Sequence, residues 1–197
     1  PADTSAVAVG ADAVALAIAA ETAARGISVA LVRNGSRGLF WLEPLVEVAT
    51  PAGRIAYGPV DVADVPGLLD AGFLRGDAHP LCLGATDEIP FLKRQERLTF
   101  ARVGVVDPLC LDDYAAHEGL AGLRAALAMA PQEIVAAIVE SGLRGRGGAA
   151  FPAGIKWQTV KDAPGDVKYV VCNADEGDSG TFSDRMLLEG DPFCLIE

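Results

Sequence analysis

Gly142-Leu143-Arg144-Gly145-Arg146-Gly147-Gly148-Ala149-Ala150-Phe151-Pro152, followed by Ala153-Gly154-Ile155-Lys156-Trp157, is the stretch on which the reading of this chain turns. Glycines let backbone N–H groups close round an oxyanion, and two arginines and a lysine favour negative charge there. After a turn at Pro164-Gly165-Asp166, the short apolar run Tyr169-Val170-Val171-Cys172 predicts a strand. It leads straight into Asn173-Ala174-Asp175-Glu176-Gly177-Asp178-Ser179-Gly180. Polar groups just past the C-terminal end of a strand are where ligands bind in α/β sheets. The combination suits a phosphate-bearing cofactor with a polyhydroxyl arm.

Two common phosphate motifs do not describe it. A P-loop closes on Gly-Lys-Ser/Thr, which is absent from the loop. Gly145-x-Gly147-x-x-Ala150 fits the loose dinucleotide fingerprint, but that fingerprint follows a strand. Here Pro131 to Glu140 precedes it, with proline first and apolar residues at helical spacing. An ordinary connector is the plain alternative; the basic residues inside the loop and the acidic cluster after the strand argue against it.

Gly-Arg-Gly-Gly-Ala-x-Phe-Pro, Lys-Trp and Asn-Ala-Asp-Glu-Gly are followed by Gly180-Thr181-Phe182-Ser183-Asp184-Arg185 and Glu189-Gly190-Asp191-Pro192. In this order they resemble the FMN- and NADH-binding flavoprotein subunit of respiratory complex I. That family includes the diaphorase subunits of NAD-reducing hydrogenases and of NAD-dependent molybdenum formate dehydrogenases. The likeness is dense from Pro131 to Glu197. Asn34-Gly35-Ser36-Arg37-Gly38-Leu39-Phe40-Trp41 and Glu88-Ile89-Pro90-Phe91-Leu92-Lys93 most resemble the formate dehydrogenase β subunit.

The resemblance implies FMN and NAD as cofactors, with hydride transfer between NAD(H) and flavin and single-electron transfer to iron–sulfur clusters. It assigns Gly145, Arg146, Gly147, Gly148, Lys156, Asn173, Asp175 and Glu176 to FMN, with Glu176 also the catalytic carboxylate. Phe151 and Asp178 are assigned to NAD. Against many members of the family, Ala150 replaces glycine, Asp178 replaces glutamate and Ser179 replaces proline. The bland alternatives are structural: Lys156 as a surface cation, Trp157 as a core anchor, Asp175 and Glu176 as caps of the next helix. An acid–base or magnesium site made from that carboxylate pair ranks low, because neither a nucleophile nor a histidine accompanies it.

The resemblance also implies partners: a small thioredoxin-like [2Fe–2S] subunit and a large molybdenum- and iron–sulfur-containing catalytic subunit. The chain stops before the family's second flavin- and NAD-binding stretch and its cysteine-rich [4Fe–4S] domain. It is therefore expected to be a segment of a longer polypeptide, with iron–sulfur ligands only in the remainder and in partner subunits. The other readings are a hydrogenase or complex I diaphorase, or a non-catalytic docking segment.

With 197 residues, the chain has room for one or two domains. A formal charge of −11 disfavours nucleic acid and anionic membranes as partners, and 51% hydrophobic residues exclude disorder. The apolar run Ala13 to Ala20 is too short to span a bilayer and follows no basic region, which predicts a cytoplasmic protein without membrane insertion. Cys82, Cys110, Cys172 and Cys194 lack ligand spacing and read as scattered buried thiols, Cys172 in the core. His79 and His117 read as surface or capping residues.

The fold class expected is α/β: a thioredoxin-like domain without cluster ligands over residues 1–108, then the first part of a complex I-type FMN-binding α/β domain over 109–197. Ala6 to Gly10 and Ile27 to Val32 are expected as parallel strands around a helix from Ala11 to Arg25 that Gly26 closes. Leu45–Ala49 and Arg54–Tyr57 predict a hairpin, and Asp61 to Ala71 a short helix. Leu111 to Met129 predicts one or two helices. Asn34 to Trp41, where relatives carry cluster cysteines, has none; Leu39-Phe40-Trp41 fits a docking surface and a local core equally well.

Overall fold

The computed structural model describes residues Pro1–Glu197 and divides into two compact units. The first comprises Pro1–His117 with Glu176–Ile196; the second comprises Glu118–Asp175 with Glu197. These divisions differ from the boundary expected at residue 108, because the segment after Asp175 packs with the N-terminal residues.

The first unit opens on a helix where a strand was expected. Asp3 caps α1 (Thr4–Ala8), its carboxylate accepting from Ala6 N at 3.4 Å and from Ser5 Oγ at 2.6 Å. A capped, alanine-bearing segment gains more from local hydrogen bonds than from its two valines in a strand. Helix α2 (Ala11–Ala24) then runs as expected and ends in a Schellman turn. Gly26 takes φ +69°, its N–H reaches Ala23 O, and Ile27 N–H reaches Thr22 O at 2.9 Å. The following run, Ile27 to Val32, has no strand partner, so the expected parallel β-α-β pair is not formed by these residues.

The sheet is antiparallel and three-stranded, in the order β1 (Val46–Thr50), β2 (Gly53–Tyr57), β3 (Cys82–Ala85). The β1–β2 hairpin matches its sequence signal; β3 has no strong signal of its own and forms because it lies beside β2. Side chains alternate across β2, so its neighbours Ala56 and Tyr57 enter different cores. Tyr57 packs with Val14 and Ile18 of α2 and with Leu68 and Leu69 of α3 (Val65–Asp70). Ala56 packs with Leu39, Leu45 and Ile89, and with Leu92 of α4 (Pro90–Lys93). Asp61 and Asp64 form a capping box at the turn leading into α3. Helices α5 (Leu111–Ala116), α9 (Ser183–Gly190) and α10 (Pro192–Ile196) complete the unit.

The second unit contains α6 (Ala121–Leu127), α7 (Pro131–Glu140) and α8 (Ala153–Asp162). Pro131 occupies the first turn of α7, and Glu133 accepts from the Ala130 N–H at 2.7 Å. Gly154 lets α8 approach α7: a methyl there would lie 2.8 Å from Val139 Cα. Tyr169–Cys172 is not a strand. It is solvent-exposed, Val170 completely, and Cys172 is exposed rather than in the core. A strand exists only through pairing, and this unit supplies none. The other three cysteines are half-buried, so none of the four is fully enclosed.

Candidate functional site

The glycine loop is tied at its base. Arg144 and Pro152 form an isolated antiparallel bridge, Gly145 N–H donates to Phe151 O at 2.8 Å, and Ala153 N–H donates to Leu143 O at 2.8 Å. Arg144 Nε donates to Ala150 O at 2.6 Å, which commits that arginine to holding the loop. Arg146 is exposed and makes no such bond. Beyond the tie, Gly147 and Gly148 face open space, with no atom within 4 Å of where a side chain would project. Gly148 at φ +98° uses backbone freedom that other residues lack. Ala150 adopts φ +50° without being glycine.

Lys156 lies in the first turn of α8, where its Nζ stands 5.7 Å from the centre of the Phe151 ring. That is cation–π range, and the ring is otherwise half-open to solvent. Lys156 has no carboxylate partner; the ion pair on this helix is Lys161–Asp162. Trp157 is half-exposed, so it is not the core anchor that its size suggests. Farther along the unit, Asn173 Oδ1 accepts from Asp175 N–H at 3.1 Å in an Asx turn, leaving the Asp175 carboxylate exposed. The second unit thus brings together Gly145, Arg146, Gly147, Gly148, Phe151 and Lys156, and also carries Asn173 and Asp175.

Glu176 and Asp178 belong to the first unit. The Glu176 carboxylate sits on the N-terminus of α9. Oε1 accepts from Asp184 N–H at 2.9 Å and from Ser183 Oγ at 3.1 Å, while Oε2 accepts from Arg185 N–H at 3.1 Å. Burial pushes its pKa up, but these hydrogen bonds outweigh that and hold it below the ordinary value. Its backbone is held at φ +48°, a costly conformation for a residue with a Cβ. Of the two carboxylates with a capping alternative, Glu176 therefore takes that position and Asp175 does not. Asp178 lies in an exposed turn in which its carbonyl accepts from Thr181 N–H at 3.3 Å.

Several residues that sequence reasoning did not assign hold this region in place. Asp191 is fully buried and pairs with Arg102 Nε at 2.9 Å. Arg102 in turn lies 4.7 Å from the centre of the Tyr114 ring. Gly190 leaves room for Gly35, since a methyl on Gly35 would come within 2.5 Å of Gly190 Cα. Glu189 accepts from Thr4 N–H at 2.7 Å. The Glu189-Gly190-Asp191-Pro192 run was the available signal, and its residues act here by packing and pairing.

The loop after Asn34 is built on a buried ion pair. Arg37 Nε and Nη2 meet the Glu47 carboxylate at 2.6 and 3.0 Å, and both side chains are almost wholly enclosed. Leu39 is buried in the core, whereas Phe40 and Trp41 are exposed, so the two readings of this trio divide between its members. Trp41 meets Phe91 edge to face at 5.1 Å. No group of three His, Cys, Asp or Glu side chains is arranged to hold a metal ion.

These features fit an anionic cofactor. An open glycine turn, Arg146 and Lys156 without anionic partners, and a half-exposed ring at Phe151 provide complementary charge, room and a stacking face.

Residues 138–197 match the Nuo51 FMN-binding domain family. The chain is 50% identical over 105 residues to the HndC component of the NADP-reducing hydrogenase of Solidesulfovibrio fructosivorans, covering 53% of this chain and 21% of that protein. It is 55% identical over 87 residues to the F component of the NADH-quinone oxidoreductase of Streptomyces coelicolor, covering 44% and 19%. It is 53% identical over 66 residues to the alpha component of the NAD-reducing hydrogenase HoxS of Cupriavidus necator, covering 34% and 11%. The matches therefore span about a fifth or less of each of these relatives.

Proposed function

We propose that this chain is part of a diaphorase subunit that binds FMN and NAD(H), in a formate dehydrogenase that reduces NAD. The carrying observation is the match of residues 138–197 to an FMN-binding domain, placed on a loop whose Arg146 and a helix whose Lys156 lack anionic partners. FMN, when bound, would exchange a hydride with NAD(H) and single electrons with iron–sulfur centres. On this reading Gly147 and Gly148 present backbone N–H groups to the flavin, Gly145 ties the base of the loop beneath it through its N–H to Phe151 O, and Arg146 and Lys156 supply positive charge. Asn173 and Asp175 accept or donate hydrogen bonds along its polar arm. Glu176, whose carboxylate holds the start of α9, positions the acidic loop, and its catalytic role is exercised through that loop. Phe151 and Asp178 serve the nicotinamide nucleotide.

The formate assignment rests on the likeness of Asn34–Trp41 and Glu88–Lys93 to the formate dehydrogenase β subunit. Partners consisting of a small [2Fe–2S] subunit and a large molybdenum subunit rest on the family resemblance, and a thioredoxin-like first domain rests on the β-α-β-β-β-α order expected from the sequence. The alternative class is a hydrogenase or complex I diaphorase.

The test uses the intact complex. Lys156→Ala and Asp175→Ala should each weaken flavin retention by about ten- to a hundredfold, because a charge-assisted hydrogen bond contributes roughly 1.5–3 kcal/mol. Asp178→Ala should keep its flavin and lower kcat/KM for NADH. Full flavin in Asp175→Ala would end the binding assignment. The same preparation should contain molybdenum and reduce NAD with formate; reduction with hydrogen alone would move it to the hydrogenase class.

A further inference from the structure

Two segments of the first unit are anchored in one core and turn aromatic rings away from it. Leu39 and Leu92 are buried together with Leu45, Ala56 and Ile89. Beside Leu39 stand Phe40 and Trp41, in a turn closed by Leu42 N–H on Leu39 O at 2.8 Å. Beside Leu92 stands Phe91, in α4. The three rings are 41%, 57% and 43% exposed, too much for core residues of their size. Trp41 meets Phe91 edge to face, and Arg97 Nη2 makes a long contact with Arg37 O at 3.5 Å. These two links, with the shared core, hold the rings as one surface.

The cations beside this surface are those left without carboxylates. Of the nine lysines and arginines in residues 1–117, seven lie within 4 Å of an Asp or Glu oxygen; Arg94 and Arg97 do not. Arg94 is exposed, and its Nε donates to Pro90 O at 3.1 Å, on the backbone next to Phe91. Arg97 is half-buried, and burial together with the like charge of Arg37 lowers its pKa. Glu96 lies between the two in sequence, is exposed, and comes within 4 Å of neither. A partly enclosed guanidinium without an anion is unfavourable, and a carboxylate supplied from outside would relieve it through charge-assisted hydrogen bonds.

Aromatic rings and arginine are the side chains enriched where protein interfaces concentrate their binding energy. The chain's net charge of −11 opposes nucleic acid as the occupant. A second copy of this chain, joined through the same patch, would bring arginine to arginine and leave both unpaired. We propose that Phe40, Trp41 and Phe91, with Arg94 and Arg97, form a docking surface for an acidic polypeptide segment of another subunit. An apolar side chain of that segment lies on the rings, and its carboxylates meet the arginines. The proposal rests on the reading of this chain as a subunit of a larger oxidoreductase, and it adds the chemistry of the contact.

The purified complex provides the test. Phe91 is replaced by photoreactive p-benzoylphenylalanine, and the cross-linked peptide is read by mass spectrometry. The expected product joins this position to a segment of a different subunit that has Asp or Glu beside the linked residue. Phe91→Ser should weaken subunit association at least about tenfold at all salt concentrations. Arg94→Gln combined with Arg97→Gln should weaken it at least about tenfold at low salt and flatten its salt dependence, because screening acts on the charge pairs. If that double variant fails to fold, Arg94→Glu, at an exposed position, carries the same expectation. A cross-link to a segment without carboxylates, to a second copy of this chain or to this polypeptide itself overturns the proposal. So does the absence of any cross-link, or association and salt dependence unchanged in the variants. Flavin content is measured in the same preparations. Full flavin without the acidic cross-link ends the docking surface alone, whereas an acidic cross-link in a complex without flavin ends the flavin reading alone.

Discussion

Ala150 shows how a single methyl group can act against a loop. Its φ of +50° is a conformation that glycine adopts freely and alanine does not. Ala150→Gly should leave stability unchanged or raise it by up to about 1 kcal/mol, since relief of the left-handed backbone offsets the added freedom of the unfolded chain. Ala149→Gly, which has no such strain to relieve, should lose stability. Urea unfolding of the pair decides it, and equal losses would remove the strain argument. Glu176 acts through its charge. Its folded-state pKa lies below the ordinary 4.5, so the ionised form stabilises the cap of α9. That contribution is complete above about pH 4.5 and is lost as pH falls through the depressed folded value. Protection factors of the Asp184 and Arg185 amides, with exchange corrected for its intrinsic pH dependence, should fall on acidification, and Glu176→Gln should already show the low protection at pH 7. An unchanged profile in that variant would mean that the cap is not electrostatic.

At the scale of elements, the loop after Asn34 depends on one buried pair. Arg37 and Glu47 bind in a two-pronged arrangement, and Thr86 Oγ1 adds a long contact at 3.4 Å. Removing one partner leaves an enclosed charge, so Arg37→Ala should cost about 3–5 kcal/mol. Arg37→Met combined with Glu47→Leu should recover most of that loss, because both charges leave together. Chemical denaturation of the single and double variants checks it; a double variant as unstable as Arg37→Ala would mean the pair does more than neutralise itself. The helices with local start or stop signals were legible: α2 through Gly26 at its end, α7 through Pro131 at its start, and α3 through Asp61 and Pro66 at its start. Strands were legible only where the turn lay next to them, as at Pro51-Ala52 between β1 and β2. Alternation at Ala6–Gly10 misled because Asp3 caps a helix there.

Over the whole molecule, the chain exposes aromatic residues that a solitary domain would enclose. Leu39 anchors its loop in the core, while Phe40, Trp41 and Phe91 face solvent. Replacing Phe40 and Trp41 by serine should leave thermal unfolding nearly unchanged and weaken subunit association by at least about tenfold, as loss of an aromatic hot spot does. Pull-down from the intact complex with calorimetry of the variant tests both halves, and loss of fold would return these rings to the core. No helix is long and apolar enough to cross a membrane. The glycine loop, its basic residues and the acidic segment were readable from the sequence because their chemistry is local: spacing alone sets which backbone groups and charges lie together. The same local rules placed the capped helices and the hairpin. Tertiary structure alone decided that Glu176 binds the start of α9, that Asp191 pairs with Arg102, and that Gly35 lies against Gly190. It also left Ile27–Val32 and Tyr169–Cys172 outside any sheet, for strands and buried pairs are properties of neighbours far apart in the chain, whose identity no local pattern contains.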